Sequence, residues 1–331
     1  MTIDRSVRRR TSRRHFVVAA GVGLAALDAT RDGALAQGTL ATPGAGGTRF
    51  VGSAMGDVEV PANPQRVLVL DGPVLDACFA LGITPVGATT GVAGAPWPEY
   101  LGPGTEGIVN VGDIAEPDLE AIASLQPDLI VSLQFRHEAI YDQLSGIAPT
   151  VLSPHDSEGW RDGFLVFADA LNRNEAAPAV VEAFDSRVVE LQTSLGDAID
   201  QTISVIRVLT GQVRSYQASS FSGTVLAAVG LPRPESQQGT EDTWLEQATE
   251  TLNEVDADVL FVTLWSGSTE DDLNQLLDNP LWATLPVVQA NRVYQVPDEY
   301  WMTAIGYLVA GLILDDLATY LVEGADPPSV G

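Results

Sequence analysis

Two α/β lobes with parallel-type central sheets, joined by a long bridging helix, are the fold class this sequence predicts, and three observations predict it. Short apolar runs closed by turn residues alternate with helical stretches over residues 58–157, the pattern of strands buried on both faces of a parallel sheet. Residues 158–198 then show helical spacing and no strand signal, and over residues 199–323 the alternation resumes.

The chain opens with Arg5, Arg8, Arg9, Arg10, Arg13 and Arg14, then an apolar small-residue run from Phe16 to Leu27, then Ala34-Leu35-Ala36. That order reads as an export signal over residues 1–36, and the Arg13-Arg14 pair before Phe16 resembles a twin-arginine signal. Residues 37–57 are expected to be a flexible spacer, rich at first in Gly, Thr, Ala and Pro. Arg66 to Leu70 reads as a strand closed by Asp71-Gly72-Pro73, and Val74 to Leu81 as a helix ended by Gly82. Strands follow at 84–88, 128–133 and 150–152, with helices at 117–125 and 137–145. Phe164, Phe167 and Leu171, then Val180, Val181, Phe184, Val188 and Leu191, give the bridge its apolar stripe. In the second lobe strands are expected at 203–209, 258–263 and 292–296, and helices at 221–229, 244–253, 273–277 and 302–321, before a tail at 324–331.

Composition narrows the function. Removing the signal leaves 10 basic and 41 acidic residues, from 17−7 and 44−3, a net charge of −31. Such a chain does not bind nucleic acid. It contains no lysine, so every permanent side-chain cation after the signal is one of ten arginines. Cys78 is the single cysteine, which excludes internal disulfides, and it lies too far from the cleavage region to carry a lipid anchor. The acidity is also compatible with a high-salt habitat.

Ligands of open parallel sheets sit beyond the carboxyl ends of the strands. That rule selects Trp97 and Tyr100 after the second strand, Arg136 and His137 after the third, Arg214 and Tyr216 in a loop after the fifth, and Trp265 after the sixth. Two of the ten arginines thus share an edge with aromatic rings, a combination suited to an anionic ligand with apolar parts. Each residue has a plainer reading: a loop Arg as a solvated or ion-paired group, Trp97 and Trp265 as packing, His137 as the start of a helix. Tyr300 and Trp301 are either a core anchor or a wall of the cleft.

Enzyme signatures are weak or absent. The chain lacks a phosphate loop and a G-x-S-x-G elbow, and the glycine clusters at Gly21-Gly23 and Gly44-Gly47 fall in the signal and the spacer. Only His137 and His155 follow the signal, too few for a three-histidine metal site, so capture of an already chelated metal is preferred over direct binding.

Several segments together resemble the class of periplasmic binding proteins with a rigid helical backbone, which serves importers of ferric siderophores, haem and cobalamin. They are Pro64-Gln65-Arg66-Val67, Ala80 to Gly87, Pro117 to Glu120, Leu125 to Ile130, Asp256 to Phe261, and Asn279 to Tyr294. The similarity runs from about Pro64 to Leu321. The resemblance implies two lobes that move little, a ligand in a shallow cleft between them, and one exposed glutamate per lobe for docking on an ABC-transporter permease. The matching positions are Glu120 and Glu250, the latter flanked by Glu246 and Glu254.

The function expected is therefore capture of a ferric siderophore and its delivery to an ABC importer, without catalysis, covalent cofactor or protein-bound metal. A haem or cobalamin binder of the same class is the alternative, with Tyr100, Tyr216 or His137 available to haem iron. An exported siderophore-cleaving hydrolase is the alternative of another class. The protein is expected to act as a monomer in the periplasm or on the outer face of the cytoplasmic membrane.

Overall fold

The computed structural model describes residues 47–91 and 95–324. The signal, the spacer up to residue 46 and the tail from residue 325 lie outside the described residues. Chain order begins earlier than expected, with a hairpin of β1 (Thr48–Val51) and β2 (Val58–Pro61) where spacer was anticipated up to residue 57. Its period-two pattern buries Val51 and Val60, and Arg49 fastens it by donating to the Asp169 carboxylate at 3.2 Å and the Ala170 carbonyl at 2.9 Å.

The first sheet contains β3 (Val67–Val69), β4 (Gly87–Thr90), β5 (Val109–Asp113), β6 (Leu129–Leu133) and β7 (Thr150–Ser153). Its order is β5-β4-β3-β6-β7 and every pairing is parallel. The edge strand β5 escaped sequence reading because Val109 and Asn110 are exposed and Gly112 turns with φ of 104°, leaving Val111 as its one buried side chain. Helices α1 (Gly72–Ala80), α2 (Leu119–Ser124), α3 (Gln134–His137) and α4 (Tyr141–Ser145) connect the strands. Asp71 caps α1 by accepting from Gly72 N–H, and Asp118 caps α2 through Glu120 and Ala121 N–H.

The bridge consists of α5 (Trp160–Ala170) and α6 (Ala177–Leu195), with no strand among the described residues between Ser153 and Ile203. Phe164, Phe167, Phe184, Val188 and Leu191 face the core, as their spacing predicts.

The second sheet is mixed. β8 (Ile203–Leu209), β9 (Gln212–Tyr216), β10 (Trp244–Gln247), β11 (Val259–Leu264) and β12 (Val293–Gln295) stand in the order β10-β9-β8-β11-β12. β8, β11 and β12 are parallel, whereas β9 and β10 run antiparallel to their neighbours. Two expectations are corrected here. Residues 212–216 form a strand rather than a loop, and the helix expected over 244–253 is β10 followed by a 3-10 turn at Thr249–Val255. The apolar spacing there was too short to separate helix from strand, and pairing with β9 decided it.

Helices α7 (Phe221–Val229), α8 (Glu270–Leu277), α9 (Pro286–Gln289) and α10 (Tyr307–Leu317) complete the chain. The closing helix expected over 302–321 is interrupted ahead of α10 at Gly306, whose φ is 148°. One core joins the inward faces of both sheets to the bridge, with Val67 and Val69 from one sheet, Val205 and Phe261 from the other, and Trp160 and Phe184 between. The outward faces bury smaller clusters around Leu68 and Ile130, and around Ile206 and Val262. Both faces of each sheet are thereby covered, which is why the strands read as unbroken apolar runs.

Asp76 joins the two halves of the chain. It is fully buried on α1, yet its carboxylate accepts from Leu308 N–H at 3.2 Å and Val309 N–H at 3.3 Å, the unpaired first amides of α10. The Tyr100 hydroxyl donates to the same carboxylate. A side chain at Gly306 would place its Cβ 2.1 Å from Asp76 Oδ1, so only glycine lets α10 approach this closely.

Asp76→Ala leaves several buried donors unpaired, and urea denaturation should show a loss of about 3 kcal/mol or more. Burial outweighs these hydrogen bonds and holds the Asp76 carboxyl at about 7, against an ordinary 3.8. The folded state therefore favours the protonated form, a contribution complete below about pH 4 and lost as pH rises through 7. Denaturation curves should show the native protein losing stability relative to Asp76→Asn across that interval; a constant difference would exclude this titration.

Candidate functional site

The carboxyl edge of the first sheet presents Arg136 on α3, directly after β6. Its guanidinium lies 4.7 Å from the Phe135 ring centroid and its Nε donates to Asp71 Oδ2 at 3.3 Å. Asp71 is nearly buried, and that burial raises its carboxyl to about 6 despite the neighbouring cation. Arg136 is thus both exposed and already ion-paired. Trp97 and Tyr100 sit half-buried on the segment entering a 3-10 turn at Glu99–Thr105, packed against the core. Tyr100 N–H donates to Glu299 Oε1 at 3.3 Å, so this segment touches the chain that follows the last strand of the second sheet.

On the second sheet the antiparallel register sets Arg214 directly opposite Arg207, with their side chains on one face. Sequence reading passed over Arg207 because it lies inside a strand. Asp298 binds it through two bonds of 2.6 Å, and the Tyr216 hydroxyl and Thr303 complete its partners. The pair is nearly dry, with side-chain exposures of 12% and 9%. Arg214 differs: its guanidinium stacks 3.6 Å from the Trp244 ring centroid, its Nε donates to Gln212 at 2.9 Å, and no carboxylate among the described residues is within ion-pair distance. Trp265, just beyond β11, is 38% exposed.

Three expectations change. Trp301 is no cleft wall: it is fully buried, its ring tilted 31° to that of Phe261 at a centroid distance of 4.6 Å, with its indole N–H on Asp316 at 2.8 Å. Tyr300 is likewise tied to Asp316, at 3.0 Å. His137 is buried as well. Its Nε2 reaches the Ile114 carbonyl at 3.0 Å, which places the proton there, so Nδ1 accepts from Ser132 at 2.7 Å. Burial lowers its pKa, and the Ser132–His137 pair, fully enclosed and without a carboxylate behind it, is a structural bond rather than a nucleophile and base. Tyr100 and Tyr216 spend their hydroxyls on Asp76 and Arg207.

Glu120 is exposed in the first turn of α2. Glu250 is exposed in the 3-10 turn after β10, whereas Glu246 stands on β10 opposite Arg214. Glu246 and Glu250 both border an open groove of about 960 Å³, also lined by Asp271, Asp272 and Asp278.

A family model described as periplasmic binding protein matches residues 67–300. The chain belongs to the periplasmic binding protein family. Among its relatives is the Bacillus subtilis protein named "Probable siderophore-binding lipoprotein YfiY", 39% identical over 287 residues that cover 83% of this chain and 88% of that one. The achromobactin-binding periplasmic protein of Dickeya dadantii is 32% identical over 77% of this chain and 86% of its own. Among solved structures, Staphylococcus aureus SirA complexed with staphyloferrin B superposes with a TM-score of 0.75 at 28% identity, covering 83% of this chain and 98% of that one. Bacillus subtilis FeuA, at 20% identity and a TM-score of 0.72 over 83% of this chain and 98% of its own, shares the fold. The architecture is that of the class III periplasmic binding proteins. No helix among this family member's described residues is long and apolar enough to cross a membrane.

The two arginines of the second sheet should respond differently to truncation. Asp298→Ala strands a nearly buried guanidinium and should cost about 3–5 kcal/mol in denaturant unfolding. Arg214→Ala removes a partly exposed stacking contact, worth about 1 kcal/mol or less. Equal losses would contradict the roles of structural pair and available cation.

Proposed function

We propose that this periplasmic binding protein captures a ferric siderophore between its lobes and delivers it to an ABC importer, with no bond-making step. The observation that carries this reading is Arg214, a guanidinium with no carboxylate within ion-pair distance among the described residues, set 3.6 Å over the Trp244 ring centroid in a chain of net charge −27. Such a group offers fixed donors to the oxygens of an anionic chelate, while Trp265, Trp97 and Tyr100 offer rings to its apolar parts. The siderophore-binding names of the YfiY and achromobactin-binding relatives point the same way. Arg136 is assigned to the facing wall. Haem is disfavoured, because Tyr100, Tyr216 and His137 are all committed to internal partners.

Delivery is assigned to Glu120 and Glu250, exposed carboxylates that suit arginines of permease subunits, with the acidic groove beside Glu250 extending the same charge. With its expected export signal, the protein is assigned to the periplasm or the outer face of the cytoplasmic membrane, as a monomer with no covalent cofactor.

Tryptophan fluorescence of residues 37–331 should be quenched saturably by a ferric siderophore and not by haem or cobalamin. Arg214→Ala should weaken that binding by about 1.5–3 kcal/mol, the worth of charge-assisted hydrogen bonds. Unchanged affinity in both Arg214→Ala and Arg136→Ala would remove the cleft from consideration. Glu120→Arg should keep ligand affinity and abolish iron uptake by cells; undiminished uptake would count against docking there.

A further inference from the structure

The positive charge that this cleft can offer is bounded by the structure. Lysine is absent, His137 is buried with both ring nitrogens occupied, and His155 lies half-buried two residues past β7. Arg49, Arg161 and Arg187 are ion-paired to Asp169, Asp185 and Asp315, and Arg233 is buried against the Tyr216 carbonyl. Arg66, Arg173 and Arg292 donate to the Leu125 carbonyl, the Asn172 carbonyl and the Gln201 amide oxygen, which leaves three guanidiniums at the carboxyl edges of the sheets: Arg136, Arg207 and Arg214.

Two of the three carry their own counterion. Asp298 holds Arg207 bidentately at 2.6 Å, and Asp71 holds Arg136 at 3.3 Å. Both carboxylates are nearly inaccessible to solvent, so they cannot swing away without leaving an ion pair broken in a dry setting. Glu299, engaged with Tyr100 N–H, adds a further negative charge beside them. Arg214 alone has no carboxylate within ion-pair distance among the described residues: a ring face and an amide oxygen contact it, and Glu246 stands opposite it on β10.

We propose that the cleft is matched to a ferric chelate of low net negative charge, which sets one carboxylate-type anionic group on Arg214, and is mismatched to a trianionic tris-catecholate. This rests on the siderophore-binding reading and narrows it. Arg136 and Arg207, with their charge neutralised, contribute donors and shape. A trianion would bring two uncompensated charges toward Asp71, Asp298 and Glu299, and like charges repel. A neutral trihydroxamate would leave the Arg214 charge without a partner.

The test measures Kd of residues 37–331 for three ferric probes: a neutral trihydroxamate, a monoanionic dihydroxamate–hydroxycarboxylate chelate, and a trianionic tris-catecholate. The monoanion is expected to bind about tenfold or more tighter than either of the others. Arg214→Ala should erase its advantage over the neutral chelate. Asp71→Asn keeps the helix cap while freeing the Arg136 charge, and should move the preference about tenfold toward the trianion. Asp298→Asn should do the same through Arg207, so the proposal stays testable if one variant fails to fold. Tightest binding of the trianion or of the neutral chelate by the native protein overturns the charge match and leaves siderophore capture standing. Binding of none of the three overturns both.

Discussion

A buried carboxylate makes the side-chain hydrogen bonds of longest sequence separation among the described residues. Asp76 lies on the first helix of the first lobe and caps the last helix of the chain, taking the place of a local N-cap residue. Gly306 is obligatory beside it, since any Cβ would collide with the carboxylate. Tyr100 joins the same carboxylate, so the segment bearing Trp97 is set by the interaction that sets α10. The edge residues of the two sheets therefore keep their relation through one desolvated group, whose raised pKa records the cost of burying it.

Around that joint the packing is continuous. Trp160 stands edge-on to Phe184, Phe221 and Tyr307, which brings the bridge, α7 and α10 into contact at centroid distances of 5.9, 5.4 and 4.7 Å. Trp160 also donates to Thr224 at 3.0 Å. A hinge through this cluster would have to separate well-packed rings.

Charge is managed with the same economy. A chain with ten arginines after residue 36 and no lysine uses most of them in pairs or against carbonyl oxygens. Arg207 and Arg214, opposed on neighbouring strands, would repel each other without Asp298 on one and Trp244 under the other. The proposed cleft is consequently only mildly cationic within a strongly acidic protein, and the proposed selectivity rests on which carboxylates stand behind which guanidiniums.

The α/β alternation, the helical bridge and the placing of Arg136 and Trp265 each just past the carboxyl end of a strand were legible in the sequence, because strand and helix periods are local. The β1–β2 hairpin, β5 and the strand identity of residues 212–216 and 244–247 were not. Short segments carry too few turns of either period, and hydrogen bonding to a neighbouring strand decides them. Arg207, Asp298 and Asp76 were invisible for a related reason: a charged residue inside an apolar element declares nothing until its distant partner is in place. Sequence alone determined the class of fold and the scarcity of cations; only tertiary contact decided which cations are already neutralised and that Trp301 is core, because ion pairing and burial join residues far apart in the chain.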